Sequence, residues 1–136
     1  VAEQRRRYTD DVPEDVEERL REICLRLPDV TEERAWVGTR WVVRKKNFAH
    51  VLGIGLDGAD PVPVLSFRSE GEELEILRLA GPPFLELGWG RDAMGLVLDD
   101  HTDWEEVREL VTDSFCVMAP KKLVALVDRP DGTDTT

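Results

Sequence analysis

Cysteine is scarce in this chain, with two in 136 residues. Cys24 and Cys116 lie far apart, each in a helix-like pattern among apolar neighbours. That arrangement gives neither a disulfide framework nor a CxxC or His/Cys cluster for a metal, so buried free thiols are expected. Long apolar runs are missing too: nothing approaches the roughly 18 residues of a membrane-spanning helix. Val1 to Arg7 lacks the apolar run of a secretory signal, and a cytoplasmic protein without membrane contact is the expectation. Gly53-Ile54-Gly55 lacks the third glycine and the following helix of a phosphate loop. Ser114 sits in a helical pattern without a nucleophile elbow. No catalytic constellation, metal or cofactor is therefore expected, and the chain reads as non-enzymatic.

Acids are abundant. There are 29 Asp and Glu against 18 Lys and Arg, a formal charge of −11. Yet from Arg34 to Leu56 no acid occurs, whereas an even spread would place about five there. Arg34, Arg40, Arg44, Lys45 and Lys46 make that window purely basic.

Periodicity organises the rest. Residues 1–10 are polar and unpatterned, expected as a mobile basic arm. Val16, Leu20, Ile23, Cys24 and Leu27 recur at helical spacing after Asp11 and Glu14, a cap signal, and Leu27-Pro28 ends the run. Trp41–Val43 and Phe48–Ile54 are β-prone, and Lys45-Lys46-Asn47 between them suggests a hairpin with Asn47 taking the left-handed backbone. Val62–Arg68 predicts a third strand, with Leu65 and Phe67 on one face. Ser69 with Glu72 predicts a capped helix to Leu79. Strands follow at Phe84–Leu87 and Met94–Leu98. Thr102 with Glu105 predicts the cap of a long helix through Met118. Pro120 then starts a short helix, Lys121 to Val127. The expected architecture is α+β and two-layered: an antiparallel sheet of about five strands packed on N- and C-terminal helices, one domain over 11–128, with a polar tail at 129–136. One sheet face should meet the helices; the other is expected to face water or a partner.

Three segments resemble the MmcQ/YjbR family: "RWVVRKKNFAHVL", "PVLSFRS" and "DWEEVRELVTDSFCVMAPKKLVAL". The likeness runs from about Val12 to Val127. It is most specific at Asp103-Trp104, Asp113-Ser114-Phe115 and Ala119-Pro120-Lys121-Lys122-Leu123. It implies a fold similar to frataxin-like and secretion-chaperone-like domains. It also implies DNA binding through a "double wing" motif, itself inferred from shape. Members often carry glycine in the hairpin turn, where this chain has Lys45-Lys46.

The candidate nucleic-acid site comprises Arg40, Arg44, Lys45, Lys46, Trp89, Arg91, Lys121 and Lys122. A basic wing can neutralise phosphates and release counterions while the whole protein stays acidic. The competing reading is a solvated hairpin whose cations blunt an edge strand or pair with carboxylates. Lys121 and Lys122 could equally be surface lysines covering apolar neighbours. Trp89, between glycines and beside Arg91, could stack a base, or fold back as a lid on the core. Trp36 is expected in the core or at its rim, Trp41 and Trp104 in the core. Asp99, Asp100, His101 and Asp103 read as strand exit and helix cap rather than an acid–base site. The alternative function is a protein-interaction or chaperone-like module, possible also as a homodimer, using acidic helix faces (Glu14 to Glu22, Asp103 to Asp113) and an open sheet face.

Overall fold

The computed structural model describes residues 5–127. In chain order the elements are β1 (Arg6–Thr9), α1 (Glu14–Leu25), β2 (Val30–Arg34), β3 (Thr39–Val43), β4 (Lys46–Leu56), β5 (Val62–Arg68), α2 (Gly71–Ala80), β6 (Phe84–Glu86), β7 (Ala93–Val97), α3 (Trp104–Met118) and α4 (Lys121–Val124). Seven strands form one antiparallel sheet in the order β2-β3-β4-β5-β7-β6, with β1 also pairing with β4. β4 is long enough to hold two partners end to end: its first half pairs with β3 and its second with β1. The α+β class and the antiparallel sheet are as expected; β1 and β2 are additional strands.

Both additions look polar in sequence. Arg5-Arg6-Arg7 reads as a solvated arm, but tertiary partners order residues 5–9. Tyr8 sits opposite Ile54 and packs on the sheet face away from the helices. Arg6 donates from both terminal nitrogens, to the Leu87 and Glu86 carbonyls at 2.9 and 2.8 Å. The mobile arm is thus corrected for residues 5–9; residues 1–4 and the tail at 129–136 lie outside the described residues. β2, Val-Thr-Glu-Glu-Arg, has one apolar side chain and gains its place from charge across the strands.

The main core lies between the sheet and α1 and α3, with Leu20, Trp41, Val51, Leu65, Phe67, Val111 and Phe115 all buried. Cys24 is buried in it and Cys116 is half-buried, and neither forms a disulfide. Burial pushes the Cys24 thiol well above its ordinary range, with the Glu32 charge acting in the same sense.

Three cap expectations move. Pro13, without a side-chain cap, precedes α1, and Asp11 instead takes Thr9 Oγ1 on its backbone N–H. Ser69 does not cap α2: Glu70 holds the cap position without a side-chain bond, while Ser69 Oγ is buried with no partner among the described residues. Asp103, not Thr102, caps α3, accepting from the Glu105 and Glu106 N–H groups at 3.0 and 3.3 Å. Thr102 Oγ1 accepts from Asp99 N–H one turn earlier.

A bulge organises the hairpin end. Trp41 pairs with Ala49 and Val42 with Asn47, so Phe48 is the extra residue. Phe48 packs edge-on against Phe115 at 5.5 Å. Ser114, fully buried, donates its hydroxyl to the Phe48 carbonyl at 2.6 Å and accepts from the Arg68 N–H at 2.7 Å. One hydroxyl on α3 therefore satisfies two backbone groups on β4 and β5, where the ladder ends at Ala49–Phe67. Replacing Ser114 by Ala leaves both groups buried and unpaired. The expected loss is about 2 kcal/mol in urea unfolding; a loss within measurement error would show that the clamp carries little.

Candidate nucleic-acid interface

The β3–β4 hairpin closes through Arg44 and Lys45, which hold φ values of 49° and 69°. Two successive left-handed residues mark a type I′ two-residue turn, a position that favours Asn-Gly. Asn47 is not the left-handed residue expected; it already pairs with Val42 in the ladder. Each non-glycine residue in this region costs about 1–2 kcal/mol. The turn thus keeps two basic side chains at a backbone cost that Asn-Gly would avoid. Both are exposed, as is Lys46.

The basic window is largely compensated. β2 lies antiparallel to β3 with Glu33 opposite Arg40, and Glu33 Oε1 is 2.7 Å from Arg40 Nη2. Asp29, just before β2 and itself left-handed at φ 64°, holds Arg44 Nε at 2.9 Å. Arg34 lies 3.5 Å from Asp10. The basic wing expected from the sequence is therefore interrupted, and Arg40 and Arg44 are removed from the free cationic set. These pairs are exposed and worth at most about 1 kcal/mol each. Asp29 and Glu33 were not foreseen as partners; the signal was present as opposite charges in Asp-Val-Thr-Glu-Glu-Arg and Arg-Trp-Val-Val-Arg. On the helix-facing side Arg21 grips Glu32 with two bonds, at 2.9 and 3.1 Å, and Trp41 Nε1 donates to the same carboxylate. The Arg21 bond, reinforced by Trp41, holds the Glu32 carboxyl below its ordinary range.

Lys45 and Lys46 have no carboxylate within ion-pair distance among the described residues, and neither have Arg91, Lys121 and Lys122. Topology gathers these five at one end of the sheet. Arg68 pairs with Ala93, which brings the Arg91 loop beside the end of β5. The Ser114 clamp brings the C-terminal half of α3, and with it Lys121-Lys122, to the same end as the hairpin tip. The acids Glu70, Glu72 and Glu73 at the start of α2 share that end, but α2 lies towards β6 and α3 across β4 and β5. Lys45, Lys46, Lys121 and Lys122 are thus on the β4 side, whereas Arg91, whose carbonyl accepts from Arg78 of α2, lies on the side of those carboxylates.

Trp89 leaves the interface. It is half-buried over the sheet face away from the helices, 5.8 Å from Tyr8 and 5.9 Å from His50 between ring centres. This face is not open as expected. Leu52, Ile54, Val64 and Leu87 form a second small core there, with Trp89 packed on it. Trp36, 70% exposed, meets Tyr8 edge-on at 5.6 Å and lies at the rim. Trp104 is half-buried beneath the Arg19 guanidinium, and Trp41 is fully buried. His101 is exposed, and its N–H binds Asp99 Oδ1, so the Asp99–Asp103 segment serves as strand exit and cap. No group of three or more metal-ligating side chains occurs among the described residues.

Replacing Arg44 by Asn and Lys45 by Gly should raise stability by about 1 kcal/mol, because relief of the left-handed strain exceeds the lost Asp29 pair. Thermal unfolding should rise by roughly 3–5 °C; a fall would refute the strained-turn reading.

His50 is buried, and its Nε2 is 2.7 Å from the Val37 carbonyl, which can only accept, so Nε2 carries the proton. Burial holds the imidazolium below its ordinary range; the Val37 bond opposes this and the Arg40 charge adds to it. A folded value below the unfolded one means that the unfolded chain binds more protons as pH falls through about 6.5, so stability falls there. The urea midpoint should drop between about pH 7.5 and 5.5, and His50→Gln should flatten that drop. An unchanged slope in the variant would assign the titration elsewhere.

A family model described as YjbR matches residues 25–117, more than half of the chain. No curated protein and no solved structure matches it. The matched span runs from the end of α1 through the hairpin and the sheet to the Ser114 helix, and on that basis the chain belongs to the YjbR family.

Proposed function

We propose that this protein is a non-enzymatic, cytoplasmic nucleic-acid-binding domain that meets phosphates with the hairpin tip. The observation that carries the reading is the turn itself: Arg44 and Lys45 hold a backbone geometry suited to Asn-Gly, and Lys45 and Lys46 project without carboxylate partners among the described residues. Strained backbone of this kind is often kept where a side chain is used. Lys121, Lys122 and Arg91 supply further cations at the same end. Arg44 can exchange Asp29 for a phosphate, since the pair is half exposed. Such a footprint neutralises about three to five phosphates and positions the domain without reading bases. The acidic remainder repels the polyanion at long range, so binding is weak and strongly salt-dependent. Two cysteines outside any disulfide fit a reducing compartment, and no helix among the described residues is long and apolar enough to cross a membrane. A protein-interaction role is the second reading, supported by Ile76 and Leu79, 64% and 86% exposed on the outer side of α2.

Fluorescence anisotropy with duplex and single-stranded DNA and RNA tests the proposal. The logarithm of affinity should fall against log salt with a slope of roughly −3 to −4. Lys45→Glu with Lys46→Glu should weaken binding by about tenfold or more, leaving unfolding unchanged. Absence of binding to every probe at low salt, or binding indifferent to those two changes, rejects it.

A further inference from the structure

The opposite end of the sheet has contrary chemistry. Between the start of α1, the start of α3, the start of β5 and the end of β7 runs a groove of about 700 Å³. A neighbouring cleft of about 510 Å³ shares Val97, Asp99 and Thr102 with it, and a smaller one shares Pro13 and Pro63. Through these shared residues the three adjoin along one trough-like surface. Val62, Pro63, Val97, Leu98 and the Trp104 ring give it an apolar floor. Asp11, Asp15, Asp99, Asp100, Asp103 and Glu106 line it, against a single guanidinium among the lining residues, that of Arg19. Asp99 and Asp103 are engaged as caps. Asp15 and Asp100 are exposed and have no polar partner among the described residues.

We infer that this trough docks an extended, basic and partly apolar segment of a partner protein, at a site separate from the hairpin. Six carboxylates exclude nucleic acid and an anionic lipid surface and attract Lys or Arg. The floor rewards apolar side chains between the cations. Trp104 already carries a cation: the Arg19 guanidinium lies 5.0 Å from its ring centre, so the indole face is in use for the kind of group that the partner would bring. Five of the eight prolines, Pro13, Pro61, Pro63, Pro82 and Pro83, line the trough. Proline offers no N–H, so the segment does not add as a strand and is held by its side chains. The two ends of the sheet would then serve different partners, an anionic one at the hairpin and a cationic one here.

The test titrates the isotope-labelled full chain with a short alternating Arg-Val peptide and with an Arg-Gly peptide of equal charge, read by amide shifts. Saturable shifts should centre on Val62 and on Val97 to Thr102. The Arg-Val peptide should bind roughly tenfold tighter than Arg-Gly, because the floor contributes only to the former. Asp15→Asn with Asp100→Asn should weaken it by about tenfold. Val62→Lys, at a half-exposed position, should block it, whereas the Lys45 and Lys46 changes should leave it unaltered. Equal affinity for the two peptides, shifts centred on the outer face of α1, or no saturable binding would each overturn the inference. Failure here leaves the hairpin assay untouched, since the two surfaces share no residue.

Discussion

The hydroxyl of Ser114 is the interaction on which the working geometry depends. The bulge at Phe48 breaks the β3–β4 ladder and leaves a carbonyl to satisfy, and the β4–β5 ladder stops one rung short of Arg68. A buried backbone group without a partner costs more than an ordinary hydrogen bond supplies. Ser114 meets both needs from the helix layer, so sheet and helix are registered at one point. Phe115 beside it fills the space under Phe48. Because α4 follows directly from α3, the same contact sets which end of the sheet Lys121 and Lys122 occupy.

Charge is arranged by strand register rather than by composition. β2 sets Glu33 opposite Arg40 of β3, and Asp29 just before β2 holds Arg44, so a window without a single acid acquires carboxylates from a segment before it in the chain. What remains free is smaller and sharper than the sequence suggests: the tip of a hairpin, not its whole length. The trough between the two helix starts collects acids in the same way, from residues spread between Asp11 and Glu106. A domain with net charge −11 can in this way hold surfaces of both signs, each local enough to act within a Debye length of about 8–10 Å.

The sheet face away from the helices shows how a polar-looking start becomes structural. Tyr8 and the Arg6 fork tie β1 to the loop carrying Leu87 and Trp89, and that loop covers Leu52, Ile54 and Val64. Trp89 spends its ring on Tyr8 and His50. Flanking glycines made it look available for stacking; they serve to turn the chain so that the indole reaches back over the sheet.

The sequence alone determined the elements whose apolar residues repeat with a regular period: α1, β5, β7 and α3, and with them the α+β class and cysteines without a disulfide. It also located the hairpin, from β-prone runs on either side of a polar turn, and set Leu65 and Phe67 on one face. Only the tertiary structure decided β1 and β2, whose side chains are held by cross-strand pairs and by Tyr8 rather than by an apolar pattern. It likewise decided which cations of the basic window are free, and that Ser114 is a clamp. The physical reason is common to all three. Periodicity records what a segment buries, but a charge or a hydroxyl takes its meaning from the group opposite, and that group lies elsewhere in the chain.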